Sequence, residues 1–297
     1  MRAGETIGDR LLRTPLLSSR TLGAHLKCEL LQRTGSFKVR GALNKISSLD
    51  ASERSRGVIA ISAGNHAQAV AFAAAEENID ALVVMWQGAS EQKITATKGY
   101  GATVDLVATD PAGAFARLDE LIAETGRTLV HPFDDPQVIA GAGTVGLEIE
   151  EDAPETDVVI VAVGGGGLVS GLQTALAGRM RVVAVEPELS PALHEALAAG
   201  EPVPVTPTSI ADGLNAPFAG RLPIEICAGI ERVLVSEEEI ETAFRFLYGR
   251  AKLACEPAGA AAAAAWLSGK VEATRPVVVV SGGNVTAQTA AAILARP

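Results

Sequence analysis

The chain has 297 residues, 48% hydrophobic and 20% charged, with a formal net charge of −10. That length supports a well-buried core in more than one lobe, and the balance of apolar to charged residues excludes a disordered chain. The acidic balance argues against nucleic acid and anionic membranes as partners, no apolar run reaches the length of a membrane span, and the first ten residues lack a signal-peptide layout. Cys28, Cys227 and Cys255 are widely spaced and odd in number, as expected of reduced thiols in a cytoplasmic protein.

Residues 2–12 are expected to form a short helix stopped by Thr14-Pro15, and residues 25–30 alternate as a strand with Leu26, Cys28 and Leu30 on one face. In the next stretch Ser36 is expected to cap a helix beginning at Phe37, which places Lys38 in the first turn. A cation is disfavoured there, so the amine binds its proton less tightly and suits attack on a carbonyl. Taken alone, Lys38 reads as a solvated surface lysine. A strand at 57–61 leads into Ser62-Ala63-Gly64-Asn65-His66 at the mouth of a helix over 65–77. Hydroxyl and backbone N–H donors there make an anion pocket sized for a carboxylate, or simply an N-capping turn. Strands at 81–86, 103–107 and 128–130 then alternate with helices at 91–98, 111–124 and 136–149, the pattern of a doubly wound parallel sheet.

Residues 157–163 form a β-branched run fit for burial on both faces, and four glycines, Gly164, Gly165, Gly166 and Gly167, separate it from a helix over 168–176. Glycines can turn tightly and let N–H groups converge beside a helix N-terminus, which makes a phosphate site. The dinucleotide fingerprint fits in neither register, because Val169 or Ser170 stands at its third glycine, and no Walker lysine follows. Glu186 lies at the distance of the fingerprint's acidic residue, which keeps a nicotinamide-binding oxidoreductase open as an alternative of another class. Further on come a strand at 181–185, a helix at 191–199, a Pro-rich loop at 201–207, a strand at 232–235 and a helix over 236–253 opened by Ser236 and three glutamates. An alanine-rich helix follows Pro257, and a buried strand at 276–280 ends in Ser281-Gly282-Gly283-Asn284. Ligands of such sheets sit at the carboxyl ends of the strands, where Ser62, Gly164 and Ser281 all fall.

Four segments in this order, Ser36-Phe37-Lys38-Val39-Arg40-Gly41-Ala42, Ser62-Ala63-Gly64-Asn65-His66, Gly164-Gly165-Gly166-Gly167-Leu168 and Ser281-Gly282-Gly283-Asn284, resemble the pyridoxal-phosphate enzymes of fold type II, and among them the serine/threonine dehydratases and serine racemases. Similarity at 131–136 and 139–144 extends the resemblance over nearly the whole chain, although the usual N-terminal helix is shortened. The resemblance implies an α/β, two-lobed, tryptophan synthase β-like fold with parallel-rich doubly wound sheets. Residues 1–43 with 136–297 would form the larger, cofactor-binding domain, and residues 44–135 the smaller one, whose Ser62 loop closes on the substrate. Lys38 would carry pyridoxal 5'-phosphate as a Schiff base and take the Cα proton. Phe37 would pack near the cofactor, Asn65 would bond the ring's 3′-oxygen, Gly164 to Gly167 with Leu168 would hold the phosphate, and Ser281 would face the pyridine nitrogen. Ser62, Ala63, Gly64 and His66 would surround the substrate carboxylate.

A neutral serine at the pyridine nitrogen makes a weaker electron sink than a carboxylate does, which favours prompt β-elimination. The reaction expected is deamination of L-threonine or L-serine to a 2-oxo acid and ammonia. Family racemases carry a second serine, the base on the opposite face, where this chain has Ala63, so serine racemase activity is the weaker alternative. A dehydratase of another 3-hydroxy amino acid, such as 3-hydroxyaspartate, is a further alternative. Some relatives hold a divalent cation at a Glu-Pro turn like Glu186-Pro187, but Ala192 stands where a later acidic ligand belongs, so no metal is expected. Glu256 can approach the cofactor or cap a helix. The last helix is expected close to residue 297, so a regulatory domain like that of biosynthetic relatives is not expected. The partners expected are an amino-acid substrate and a second copy in a cytoplasmic homodimer, with no nucleic acid and no membrane.

Overall fold

The computed structural model describes residues 2–296. The strands are β1 (Leu16–Ser19), β2 (Ala24–Cys28), β3 (Val58–Ile61), β4 (Ala81–Trp86), β5 (Thr103–Ala108), β6 (Thr128–Leu129), β7 (Val158–Ala162), β8 (Arg181–Pro187), β9 (Glu231–Val235) and β10 (Pro276–Val280). The chain divides into two compact units. One takes residues 38–141 and those up to Leu11, the other residues 12–37 and those from Ala142 on.

In the first unit the strand order is β5-β4-β3-β6, parallel throughout. β3 explains why a continuous apolar run becomes a central strand. Val58 and Ala60 enter one apolar cluster, Ile59 and Ile61 the cluster on the opposite face, and all four are buried. Each buried Val or Ile contributes about 1.5–3 kcal/mol. On one side lies the helix Lys38–Ser47, whose Val39, Ala42, Leu43 and Ile46 form a stripe at helical spacing. They pack with Ala67, Val70, Ala71 and Ala74 of the helix Asn65–Glu76.

In the second unit the order is β1-β2-β10-β7-β8-β9, parallel except for β1 against β2. Val158, Ile160 and Ala162 of β7 face one core and Val159, Val161 and Val163 the other. β10 does the same with Val278 and Val280 against Val277 and Val279. The alanine-rich helix Pro257–Leu267 is buried from Pro257 through Ala265, where small side chains allow close approach to β7 and β10.

Several expectations change. The strand expected over 25–30 ends at Cys28, and Glu29–Leu31 is a 3-10 turn. β1 is an antiparallel edge strand that polar Ser18 and Ser19 had concealed. The N-terminal helix is Arg2–Ile7, extended by the 3-10 turn Gly8–Arg10. The helix expected over 236–253 is α-helical over Glu237–Phe246, then π-helical over Leu247–Ala251, ending at Lys252 with φ +61°. The units divide at 11/12, 37/38 and 141/142, where the expectation had 43/44 and 135/136 with the first residues in the larger domain. The apolar stripe of Lys38–Ser47 is spent within the first unit, and Val138 belongs to that unit's core whereas Ala142, Val145 and Ile149 belong to the other's.

Candidate active site

Parallel strands deliver their C-terminal loops to one edge of a sheet, and in the first unit neighbouring β3 and β6 end in loops rich in polar groups. After β3 comes Ser62-Ala63-Gly64, half-buried, then the helix opened by Asn65. The Ser62 hydroxyl oxygen accepts from the Gly64 N–H at 3.1 Å, which tightens the turn and leaves the hydroxyl proton to donate elsewhere. The first N–H groups of Asn65–Glu76 add the donors of a helix N-terminus.

After β6 the backbone of residues 130–132 receives two side chains. His66 Nε2 lies 2.8 Å from the Val130 carbonyl and Lys38 Nζ lies 2.8 Å from the Pro132 carbonyl. A carbonyl only accepts, so His66 carries its proton on Nε2, and its Nδ1 is a buried lone pair without a partner. Burial, then the charge of Lys38, pushes the ring's pKa down to about 3, so His66 is neutral. As placed, His66 brings neither charge nor a free N–H to a carboxylate; it holds the end of β6. Burial lowers the Lys38 amine to about 8, so the perturbation expected from a helix N-terminus has desolvation as its cause. Ser36 does not cap that helix. Its hydroxyl is buried without a partner while its backbone bridges to Gly282, and the helix starts at Lys38.

In the second unit β7 runs into the glycine loop. Gly166 has φ +98° and opens the helix Gly167–Leu176; a Cβ on it would stand 2.5 Å from Pro223 Cβ. A Cβ on Gly164 would stand 3.1 Å from Leu214 Cα. A side chain is thus excluded at Gly166 and crowded at Gly164, at the start of a ten-residue helix with unsatisfied N–H groups. Gly165 accepts from the Gly220 N–H at 3.2 Å, and Leu168 is buried in the core beneath, against which Phe37 packs. Ser281, buried just after β10, accepts at its carbonyl from the Phe37 N–H at 3.1 Å. The two loops interlock further: Gly283 N–H donates to Gly35, and Asn284 Nδ2 donates to the Thr34 carbonyl at 2.7 Å. Thr34 itself is left-handed, with φ +63°.

Glu186 is fully engaged. Its two oxygens accept from the Leu193 and His194 N–H groups at 2.7 and 2.8 Å, capping the helix Ala192–Ala199, and burial raises its pKa to about 8. Among the described residues, no group of three His, Cys, Asp or Glu side chains is placed to hold a metal ion, and no helix is long and apolar enough to cross a membrane. Burial raises all three thiols, Cys28 to about 12 and Cys227 to about 11. Sequence reasoning passed over His131 and Pro132 as site residues, although a histidine directly after a short parallel strand lies where ligands bind.

A model of the family described as pyridoxal-phosphate dependent enzyme matches residues 7–283. An L-threonine ammonia-lyase of Thermotoga maritima is 43% identical over 95% of this chain and 74% of its own length. The structure of maize serine racemase superposes with a TM-score of 0.91 at 34% identity, covering 97% of this chain and 93% of that one. A threonine deaminase from T.th. gives 0.89 at 38% identity, covering 96% and 97%. The two parallel-rich sheets are the fold type II architecture that these neighbours share. With the family model matching residues 7–283 of a chain that carries the glycine loop and half-buried Lys38, the chain belongs to the family of pyridoxal-phosphate dependent enzymes.

Proposed function

We propose that this chain is an L-threonine/L-serine ammonia-lyase that uses pyridoxal 5'-phosphate to remove the β-hydroxyl and release a 2-oxo acid and ammonia. The observation that carries the reading is the amine of half-buried Lys38, lowered by desolvation to about 8 and held on the Pro132 carbonyl, in a chain 43% identical to a threonine ammonia-lyase. The residues fit the cofactor. An amine near 8 is neutral often enough to attack an aldehyde, and the side-chain-free loop that opens the helix Gly167–Leu176 offers backbone N–H groups that suit a phosphate. When bound, pyridoxal phosphate supplies the electron sink that makes the Cα proton of an amino acid acidic.

Lys38 is assigned covalent attachment and then removal of the Cα proton. Gly164, Gly165, Gly166, Gly167 and Leu168 are assigned the phosphate, Asn65 the ring's 3′-oxygen, Phe37 the packing of the ring, and Ser281 the pyridine nitrogen. The Ser62 hydroxyl and the N–H groups of the Ala63-Gly64 turn are assigned the substrate carboxylate, with His66 holding β6 behind them. The same reading makes the enzyme a cytoplasmic homodimer, testable by light scattering and cell fractionation.

Serine racemase activity is the second reading, favoured by the 0.91 TM-score to the maize racemase and opposed by Ala63, which has no proton to give to the opposite face. The test mixes holoenzyme with L-threonine and with L-serine and measures 2-oxo acid, D-serine and the cofactor's visible absorption. Formation of 2-oxobutanoate that is lost in Lys38→Ala supports the lyase. D-serine formed faster than pyruvate supports the racemase. A protein that binds the cofactor but leaves both amino acids unchanged refutes both.

A further inference from the structure

The segment from Val130 to Asp135 holds one more polar group, and its chemistry is fixed by the backbone around it. His131 Nδ1 accepts from the Asp134 N–H at 2.8 Å and from the Phe133 N–H at 3.3 Å. Both partners are donors, so Nδ1 bears no proton and the ring proton is on Nε2. The ring stands edge-on to Phe133, centroids 4.7 Å apart, so its plane is fixed as well. Asp135 closes the segment, accepting from the Gln137 and Val138 N–H groups at 2.7 and 3.1 Å and pairing with Lys45 at 2.8 Å. The two imidazoles near Lys38 therefore differ. The N–H of His66 is consumed by Val130 inside the core, whereas His131 is only half-buried and carries its N–H on the nitrogen that no backbone group occupies. Burial, with the charge of Lys38, outweighs the opposing charges of Asp134 and Asp135 and holds the ring below the usual histidine value, so it is a neutral donor.

We propose that His131 is a catalytic residue, its Nε2–H donating a hydrogen bond to the β-oxygen of the substrate as that oxygen departs. The placement rests on two observations. Lys38 Nζ is held by the carbonyl of Pro132, the residue next to His131, and the Ser62 turn follows β3, the strand paired with β6. This assignment builds on the ammonia-lyase reading above. In the step it serves, the Lys38 amine takes the Cα proton, the Cα=Cβ bond forms as the Cβ–O bond breaks, and the oxygen leaves with that proton as water. His131 keeps its own proton throughout and stabilises charge growing on the oxygen, the part a preorganised donor plays in a water-poor site.

The test compares two leaving groups in the holoenzyme: L-serine, whose hydroxyl needs such a donor, and β-chloro-L-alanine, whose chloride does not. In His131→Phe and His131→Ala, kcat for L-serine is expected to fall about 100-fold, the usual cost of removing one such donor. Elimination from β-chloro-L-alanine is expected to stay within about threefold, a constancy that a merely structural role does not give. Cofactor absorbance is expected to be unchanged; the apo-protein melting temperature, expected to fall because the Phe133 and Asp134 N–H groups lose their acceptor, is read on the same samples so that rates are compared on folded protein. His131→Asn, which retains an N–H donor, is expected to recover part of the L-serine rate. An equal fall with both substrates, or an unchanged L-serine rate, overturns the proposal. A wild-type protein that eliminates chloride but not hydroxide refutes the ammonia-lyase reading, and this assignment falls with it.

Discussion

Substituting Gly166 by alanine separates two reasons for a glycine. The residue has φ +98°, and a Cβ would lie 2.5 Å from Pro223 Cβ and 3.1 Å from its Cγ. The left-handed backbone alone costs a side chain about 1–2 kcal/mol, and forcing a carbon into a packed contact costs about 1–3 kcal/mol. Gly166→Ala is therefore expected to destabilise the second unit by about 2–5 kcal/mol. Gly178 is the control: its φ is +73°, but nothing lies within 4 Å of its Cβ position, so Gly178→Ala should show only the backbone cost. Urea unfolding of the apo proteins measures both, with fluorescence probes in each unit because the chain need not unfold in one step. Pro223 is a rigid ring, so the loop can relieve the contact only by shifting the N–H groups assigned to the phosphate. Affinity for pyridoxal phosphate should then fall at least tenfold in Gly166→Ala and stay unchanged in Gly178→Ala. Equal effects of the two substitutions on stability and on cofactor affinity would refute the packing argument.

Glu77 accepts from Arg10 and Ser47 on one oxygen and from Arg54 on the other, each at 2.6 Å, and its side chain is 14% exposed. Burial raises its pKa, but these bonds outweigh burial and hold it at about 2, against an ordinary 4.5. A depressed carboxyl stabilises the fold above its unfolded value and loses that contribution as pH falls from about 4.5 toward 2, at most about 3.4 kcal/mol. In thermal unfolding Glu77→Gln should thus be clearly less stable than wild type at pH 7, with the gap narrowing below pH 4.5 and closing near pH 2; a gap independent of pH would contradict this. The neutral Lys38 amine is the nucleophile, so uptake of pyridoxal phosphate by the apo protein should accelerate as pH rises through about 8; stopped-flow absorbance showing a midpoint above 10 would show an ordinary solvated lysine. Lys27 Nζ, fully buried, bonds the Thr14 carbonyl at 2.8 Å and Glu148 at 2.6 Å. Removing one charge of such a pair costs about 3–5 kcal/mol, so Glu148→Gln should lower the denaturant midpoint markedly while Glu148→Gln with Lys27→Met recovers part of the loss. Ala63→Ser, which adds a hydroxyl in the half-buried turn, should raise D-serine formation relative to 2-oxo acid; an unchanged ratio would remove that position from the choice between the two reactions.

Some features of this protein were fixed by short-range chemistry and could be read from the chain. An unbroken run such as Val158–Ala162 has no polar face to turn to water, so it had to be a strand covered on both sides. Four glycines between that run and a helix had to be a turn of exposed N–H groups, although only the structure shows that Gly166 is the one held at φ +98°. The capping box at Ser236 and Glu239 is likewise local, closing over three residues. What the order of residues could not carry was the environment of each charge. Lys38 is lowered by desolvation, which depends on the atoms folded around it and not on its place in a first turn. Ser36, a good cap by identity, loses that role to a backbone bridge with Gly282, almost the whole chain away. Glu186, a candidate ligand by its neighbouring proline, spends both oxygens on the helix Ala192–Ala199 that folding brings over it. The same holds for the two imidazoles. The residues His66 and His131 were visible in the sequence, but which nitrogen of each bears the proton was decided only by the backbone groups that tertiary structure set against them, because a tautomer answers to its nearest partners in space.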